Sequence, residues 1–426
     1  MKVRVVFLGV AIFLMESMSL LAQDVPFTWG HQWGVGARAI AMGGAYTGIA
    51  DDYAALYYNP AGLGQIQSME ISGSLAYFAM TDRATFLGLE TPENSSFTRL
   101  NSIGITFPVP TTRGSLVFGF GYNRMRDFDR SLYVKKFIST VGDSVTHEYN
   151  ELEEGGLGNI VLGGSIEMAP GVFLGGSINF WTGGDDWTWR FTESDTPYDI
   201  WTFTNFVSTD HINTKFSGVN LTLSALLRTN DFFRFGGAIV TPVTLTGKEN
   251  WDYSEVTNWD DGFRSVDSTD NGYSEYKIQS PWIFRAGGAF QAGPLLVSGD
   301  VEWNNYNQIK YKTNPSEATY SMADANLEIK RKFRNTFNIK AGAELSIPSA
   351  NIKIRAGYAL YPSPFKDTSL NRDRKVLSFG AGFGFAEQFN LDFGYASTSW
   401  EGVPGDVIQR EKIEVNKILI NFSYHM

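Results

Sequence analysis

The chain of 426 residues has no cysteine. That excludes disulfide scaffolds, thiolate metal sites and cysteine nucleophiles, and it fits an exported bacterial protein. Histidine is nearly as scarce: His31, His147, His211 and His425 are the only four, and none stands beside a nucleophile motif such as GxSxG. There is no phosphate loop and no HExxH, so the chain reads as no enzyme, with no cofactor and no metal site. Charge is low at 19%, with a formal balance of -10; no basic run could track phosphates, and a nucleic-acid partner is excluded. Beyond the N-terminus no window approaches the ~18 consecutive apolar residues of a spanning helix. Any place in a membrane would therefore have to be taken by strands.

What is present points that way. Aromatics make up 15% of the chain, beside 44 glycines and 11 tryptophans. Lys2 and Arg4, an apolar run from Val5 to Met15 and Ala22 before the cut read as a signal peptide over 1–22. From residue 67 to the end, segments of alternating hydrophobicity recur. Leu116, Phe118, Phe120 and Tyr122 share one face against Gly119 and Gly121; Val219, Leu221, Leu223 and Leu227 share another; Ile418, Ile420, Phe422 and Tyr424 suit a closing strand in lipid. Such strands are expected near 67–80, 98–109, 113–126, 156–169, 171–183, 214–228, 232–246, 275–290, 294–308, 332–346, 350–361, 374–386, 388–400 and 412–426. About fourteen antiparallel strands joined by alternately tight and long connections describe an all-β transmembrane barrel spanning 67–426. A soluble sandwich would also alternate, yet gives no reason for the loop-length pattern. The long connections are expected near 81–97, 127–155, 184–213, 247–274, 309–331, 362–373 and 401–411.

Residues 23–66 do not alternate. Gly34, Gly36, Ala37, Ala39, Ala41, Gly43, Gly44 and Ala45 permit close backbone approach, and the strands carry glycine pairs at 163–164, 175–176, 236–237 and 287–288 besides Gly119 and Gly121. The stretch is read as a hatch within the barrel lumen. Asp51 or Asp52 would cap a short helix that Pro60 ends, a structural use that competes with a weak two-carboxylate metal signal.

Three blocks resemble the FadL/TodX family of outer-membrane transport proteins. They are residues 36–63, with Ala50-Asp51-Asp52 and Asn59-Pro60-Ala61-Gly62-Leu63; residues 281–310, around Trp303; and residues 355–382. The resemblance implies a fourteen-stranded barrel in the bacterial outer membrane, a lumenal hatch, and passive uptake of long-chain fatty acids or aromatic hydrocarbons. It also implies an inward kink in the third strand, where Gly119 and Gly121 would permit one. Asp51, Asp52, Asn59, Pro60 and Ala61 then belong to the hatch or gate. For substrate the family places a groove in loops that here hold Trp187, Trp189, Trp201, Phe203, Trp251 and Trp259; the same residues would serve equally as strand extensions or an aromatic girdle. Lys310 and Arg38 are the candidate cations for an anionic head group, unless each is an ordinary paired lumen charge, and Phe27 would lie beside the ligand. The expected partners are a hydrophobic small molecule or detergent and outer-membrane lipid, with the chain a monomer. The alternative is a PorV-like component of type IX secretion that binds exported proteins at the outer face. A polar porin would require an open lumen.

Overall fold

The computed structural model of the chain describes residues 34–426 except 87, 141–142, 196–200, 231, 314–320, 387 and 403–407. The signal-peptide reading, Phe27 and residues 23–33 of the hatch lie outside the described residues. One continuous sheet contains eighteen extended segments, and four breaks interrupt individual strands, so the chain crosses the wall fourteen times. In order these strands are β1 (Glu70–Phe86), β2 (Leu89–Val109), β3 (Leu116–Asp127 then Arg130–Thr140), β4 (Asp143–Ala169) and β5 (Val172–Ser194). They continue as β6 (Phe203–Arg228), β7 (Phe233–Val240 then Thr244–Trp259), β8 (Arg264–Gln279 then Ile283–Ala292) and β9 (Leu295–Asn305 then Lys310–Tyr311). The last five are β10 (Asn335–Ile347), β11 (Ile352–Tyr361), β12 (Arg374–Phe385), β13 (Phe389–Glu401) and β14 (Ile408–His425).

All neighbours are antiparallel, and β14 closes on β1 from Glu70 opposite His425 to Phe86 opposite Ile408. Closure leaves no sheet edge to face hydrocarbon, which is why a β-protein can cross a membrane at all. Among the described residues no helix is long and apolar enough to cross it.

The burial pattern is that of a soluble protein turned inside out. Leu75, Phe120, Leu162, Leu223, Phe235, Ile339, Phe379 and Ile420 point outward and are exposed, whereas Ser74, Asn123, Asn179, Asp300, Glu302 and Lys340 point inward and are buried. Period-two alternation imposes this division once one face must meet lipid.

Every expected strand overlaps an observed one, with ends that differ by a few residues. The outer connections differ: 81–97, 127–155, 184–213 and 247–274, expected as long loops, are mostly ladder. β4, β5 and β6 run 27, 23 and 26 residues, well beyond the apolar band. Above the membrane the same alternation continues with Thr, Asn, Glu and Trp in place of Leu and Phe, so hydropathy loses the strand while the hydrogen bonds keep it. Among the described residues 309–331 and 362–373 remain largely outside the sheet, while of 401–411 the described part is almost all strand.

Candidate functional site: a plugged lumen beneath a lid

Residues 34–66 lie inside the barrel. They form α1 (Ala37–Ala41), a turn through Gly43 and Gly44, α2 (Ala55–Tyr58) and a 3-10 turn (Pro60–Gln65). Most of the segment is wholly buried, including Tyr46, Ile49, Leu56 and Leu63. Glycine makes this possible by letting main chain meet main chain. At Gly43 φ is +67°, and a Cβ would stand 2.7 Å from the Tyr358 nitrogen and 2.9 Å from the Ala341 oxygen.

The strand glycines divide by parity. A Cβ on Gly119 or Gly163 would strike Leu56, one on Gly121 would strike Tyr53, one on Gly175 would strike Ala61, and those on Gly236 and Gly287 would strike Thr47. Their chain neighbours Gly164 and Gly288 instead lie against the outward rings of Phe118 and Phe235. Gly104, Gly342, Gly357, Gly380 and Gly394 also receive the plug.

Polar groups of the wall satisfy plug backbone that the short helices leave unpaired. Asp300 accepts the Tyr46 and Thr47 amides at 2.9 and 2.8 Å. Ser298 donates to the Ala45 carbonyl at 2.7 Å, and Ser165 donates to the Ala61 carbonyl at 2.7 Å. The Ser378 hydroxyl takes the Gly43 amide and gives to the Ala41 carbonyl, at 3.0 and 3.1 Å. Asn59 bonds the Thr47 and Ala225 carbonyls at 2.8 and 3.1 Å and accepts the Ala61 amide at 3.2 Å. The Asn59-Pro60-Ala61 motif is thus a joint between plug and β6.

Arg38 is a latch. Its guanidinium bonds Glu344 twice, at 2.8 and 3.1 Å, Asp51 at 2.7 Å and the Tyr46 hydroxyl at 2.9 Å. Asp51 also meets Arg234 at 3.1 Å, and Glu344 meets Arg355 at 2.7 Å. Asp52 accepts from Tyr46 at 2.6 Å and from the Ala54 amide at 2.9 Å, holding the turn that enters α2. The adjacent carboxylates differ in state: burial, which alone would raise Asp51, is overridden by Arg38 and Arg234, whereas burial pushes Asp52 up to about 6 against the pull of Arg38. Among the described residues no cluster of three metal-ligating side chains occurs.

β3 bends inward, but not at Gly119 and Gly121, where its ladder with β2 is unbroken. That ladder ends at Ser102 opposite Asn123, and the strand itself breaks at Phe128 and Asp129. Among the described residues β2 has no ladder partner on this side from Leu89 to Asn101, and Arg99 bridges the parting to Asp129 at 2.7 and 3.0 Å. The bend carries Phe128 into an apolar cluster with Phe216, Val243, Ile278, Ile309, Ile329 and Phe333. The last two belong to a lid over the mouth built on α3 (Met322–Lys332), which starts at a Ser321–Asp324 capping box and presses Ala325 and Ile329 inward. The lid was not foreseen as an element.

Against Leu56 and Tyr57 of the plug lies a small cavity, partly open to solvent. Leu56, Met125, Val240, Val243, Pro281 and Ile283 form its apolar side. Its other side is an amide network: Asn159 donates to Asn179 at 3.2 Å, Asn179 to Thr222 at 3.2 Å, and Trp181 to Asn220 at 2.8 Å. Arg126, hydrogen-bonded to Tyr306, completes the lining.

Neither candidate cation enters this cavity: Arg38 is held within the plug, and Lys310 is exposed on the outer face of β9. The tryptophans expected on loops are in ladders and at least half-buried. Trp189 and Phe203 are buried, and Trp187, Trp251 and Trp259 are intermediate; Trp201 lies in a bend beside them. Trp187 donates to Glu151 at 3.0 Å and Trp259 to Ser265 at 3.1 Å, so these rings stiffen the hairpins they were expected to decorate.

The family description "Outer membrane protein transport protein (OMPP1/FadL/TodX)" matches residues 271–404. A Pseudomonas aeruginosa FadL homologue superposes with a TM-score of 0.60 at 13% identity, covering 92% of this chain and 97% of its own. The Pseudomonas putida toluene transporter TodX superposes at 0.61 and 11% identity, covering 93% and 99%. The chain has the fold of the FadL/TodX outer-membrane barrels. The Ralstonia pickettii toluene transporter TbuX has the same FadL/TodX architecture, with a TM-score of 0.58 at 13% identity over 93% of this chain and 99% of its own. No curated protein sequence matches the chain. FadL/TodX proteins are transport channels, not enzymes.

Proposed function

We propose that this barrel admits hydrophobic small molecules passively across the outer membrane, with residues 34–66 as the gate. One observation chiefly supports the reading: a cavity lined by both apolar and hydrogen-bonding side chains lies against the plug inside the barrel. The parting between β2 and β3 borders Met125 and Arg126 of the same cavity, which makes it the natural lateral exit for a molecule more soluble in lipid than in water. Long-chain fatty acids and the monoaromatic hydrocarbons named for TodX-like channels both suit this arrangement.

The test is an uptake panel in cells lacking other routes, comparing a labelled fatty acid, toluene and a sugar. Ile283→Trp fills the apolar side, and uptake of the hydrophobic compounds should fall while the barrel stays folded. Sugar entering the wild type as fast as toluene would point instead to a polar porin. A secreted protein co-purifying in equal amount would favour the type IX secretion role.

A further inference from the structure

Outward-facing residues on β6 to β9 fall into bands. Val219, Leu221 and Leu223 on β6, Phe235 and Ile239 on β7, and Trp282 and Phe284 on β8 make the lipid-facing belt. Its upper rim is aromatic, with Trp282 stacked on Phe284 at 6.3 Å and Phe284 against Trp303 at 5.4 Å. Immediately above come five exposed lysines, Lys215, Lys248, Lys277, Lys310 and Lys312.

The ladders fix them as neighbours. Lys215 stands directly opposite Lys248, Lys277 is opposite Thr246, Lys310 is opposite Gln279, and the Lys312 amide donates to the Lys277 carbonyl at 2.7 Å. Four residues separate Lys215 from Val219, which at ~3.4 Å per residue and a ~40° tilt sets the lysine ~10 Å above the belt. That is the level of lipid head groups.

Like charges directly opposite each other in a sheet destabilise it. Among the described residues none of the five forms an ion pair. Glu275, opposite Lys248, is the one acidic side chain within the band. Farther out, Asp186 and Asp252 are each held at 2.9 Å by His211. Partial desolvation and the adjoining Lys310 charge keep Lys312 below the ordinary lysine value. Elsewhere at the rim Lys412 has its carboxylate, Glu414, at 2.7 Å. An uncompensated cationic band on a chain of formal charge -10 has the complement of a polyanion, and outward at this height the outer leaflet supplies it.

We propose that Lys215, Lys248, Lys277, Lys310 and Lys312 form a binding surface for the phosphate groups of outer-leaflet glycolipid. The lipid seats its acyl chains on the belt below and its phosphates on the lysines, and this holds whatever passes through the lumen. Basic residues at a membrane surface attract anionic head groups additively.

Native mass spectrometry of the full chain in neutral detergent tests it, with bisphosphorylated lipid A and its dephosphorylated form as probes. The wild type should retain the phosphorylated lipid at least ~30-fold more strongly. Changing all five lysines to glutamine should erase the preference, changing them to arginine should keep it, and inorganic phosphate at millimolar level should not compete. Equal retention of the two lipids by the wild type would overturn the proposal, a result that needs no variant to fold. So would an undiminished preference in the glutamine variant, or full displacement by inorganic phosphate.

Discussion

Arg38→Met keeps the apolar stem of the latch and removes its fork. Four hydrogen bonds go with it: two to Glu344 at 2.8 and 3.1 Å, one to Asp51 at 2.7 Å and one to Tyr46 at 2.9 Å. Bonds to charged groups contribute ~1.5–3 kcal/mol each when isolated. Here each carboxylate keeps a second arginine, Arg355 for Glu344 at 2.7 Å and Arg234 for Asp51 at 3.1 Å. Neither becomes the unpaired buried charge whose creation costs ~3–5 kcal/mol. The Asp51 side chain is 25% exposed against 5% for Glu344, so water makes good part of the loss on the Asp51 side. The net penalty on plug docking comes to ~2–4 kcal/mol. At tenfold per ~1.4 kcal/mol, the undocked population rises roughly 30- to 700-fold. Hydrogen exchange of residues 34–66 in lipid nanodiscs reads that population directly when redocking outruns exchange. Heat-modifiable migration on a gel reports the barrel separately and should not change. Plug amides exchanging within about threefold of wild type in a folded barrel would refute the latch.

Further outcomes follow from the same contacts. Gly357→Ala places a methyl against the Gly43 and Met42 backbone and should undock α1, whereas Gly73→Ala, with nothing within 4 Å, should be silent; exchange at residues 37–45 distinguishes them. Asp52 lies in the plug, outside the spanning strands, where burial raises its pKa to about 6, above the ordinary carboxylate value. The folded plug therefore binds the proton more tightly, and docking should strengthen as pH falls from 7 towards 4. Asp51, held below its ordinary value, works against docking only at lower pH, and Asp52→Asn should flatten the profile. Ile329→Ala removes a lid anchor in the Phe128–Phe216–Phe333 cluster and should destabilise lid closure by ~2–4 kcal/mol, seen as more frequent conductance bursts in planar bilayers.

Strand number and the facing of alternate residues were legible because lipid forces one face of each strand to be apolar, as along Leu116–Tyr122 and Ile418–Tyr424. The plug was legible from its glycines and their partners in the wall. The bend was misplaced because glycine marks close approach as readily as flexibility; at Gly119 and Gly121 the approach is to Leu56 and Tyr53, while the break falls where Arg124 and Arg99 gather Asp127 and Asp129. The tryptophans of β5 and β7 were ambiguous for a related reason: an aromatic above the bilayer gives the same signal whether it greets a ligand or props a hairpin. Partners such as Glu344, Arg234 and Asp300 gave no local sign, since an inward polar residue is ordinary in a lumen and pairing across 306 positions of chain is written in no motif.

The docking of α1 also bears on how the barrel is made. Its helix, among the first of the described residues, rests on β12 and β13, among the last, through Ser378, Gly380 and Gly394. Gly43 and Ser378 lie 335 residues apart, as costly a loop to close as the β1–β14 seam itself. Seating α1 and sealing the barrel thus bring together the same distant ends, and the loop-closure entropy of the one is shared by the other.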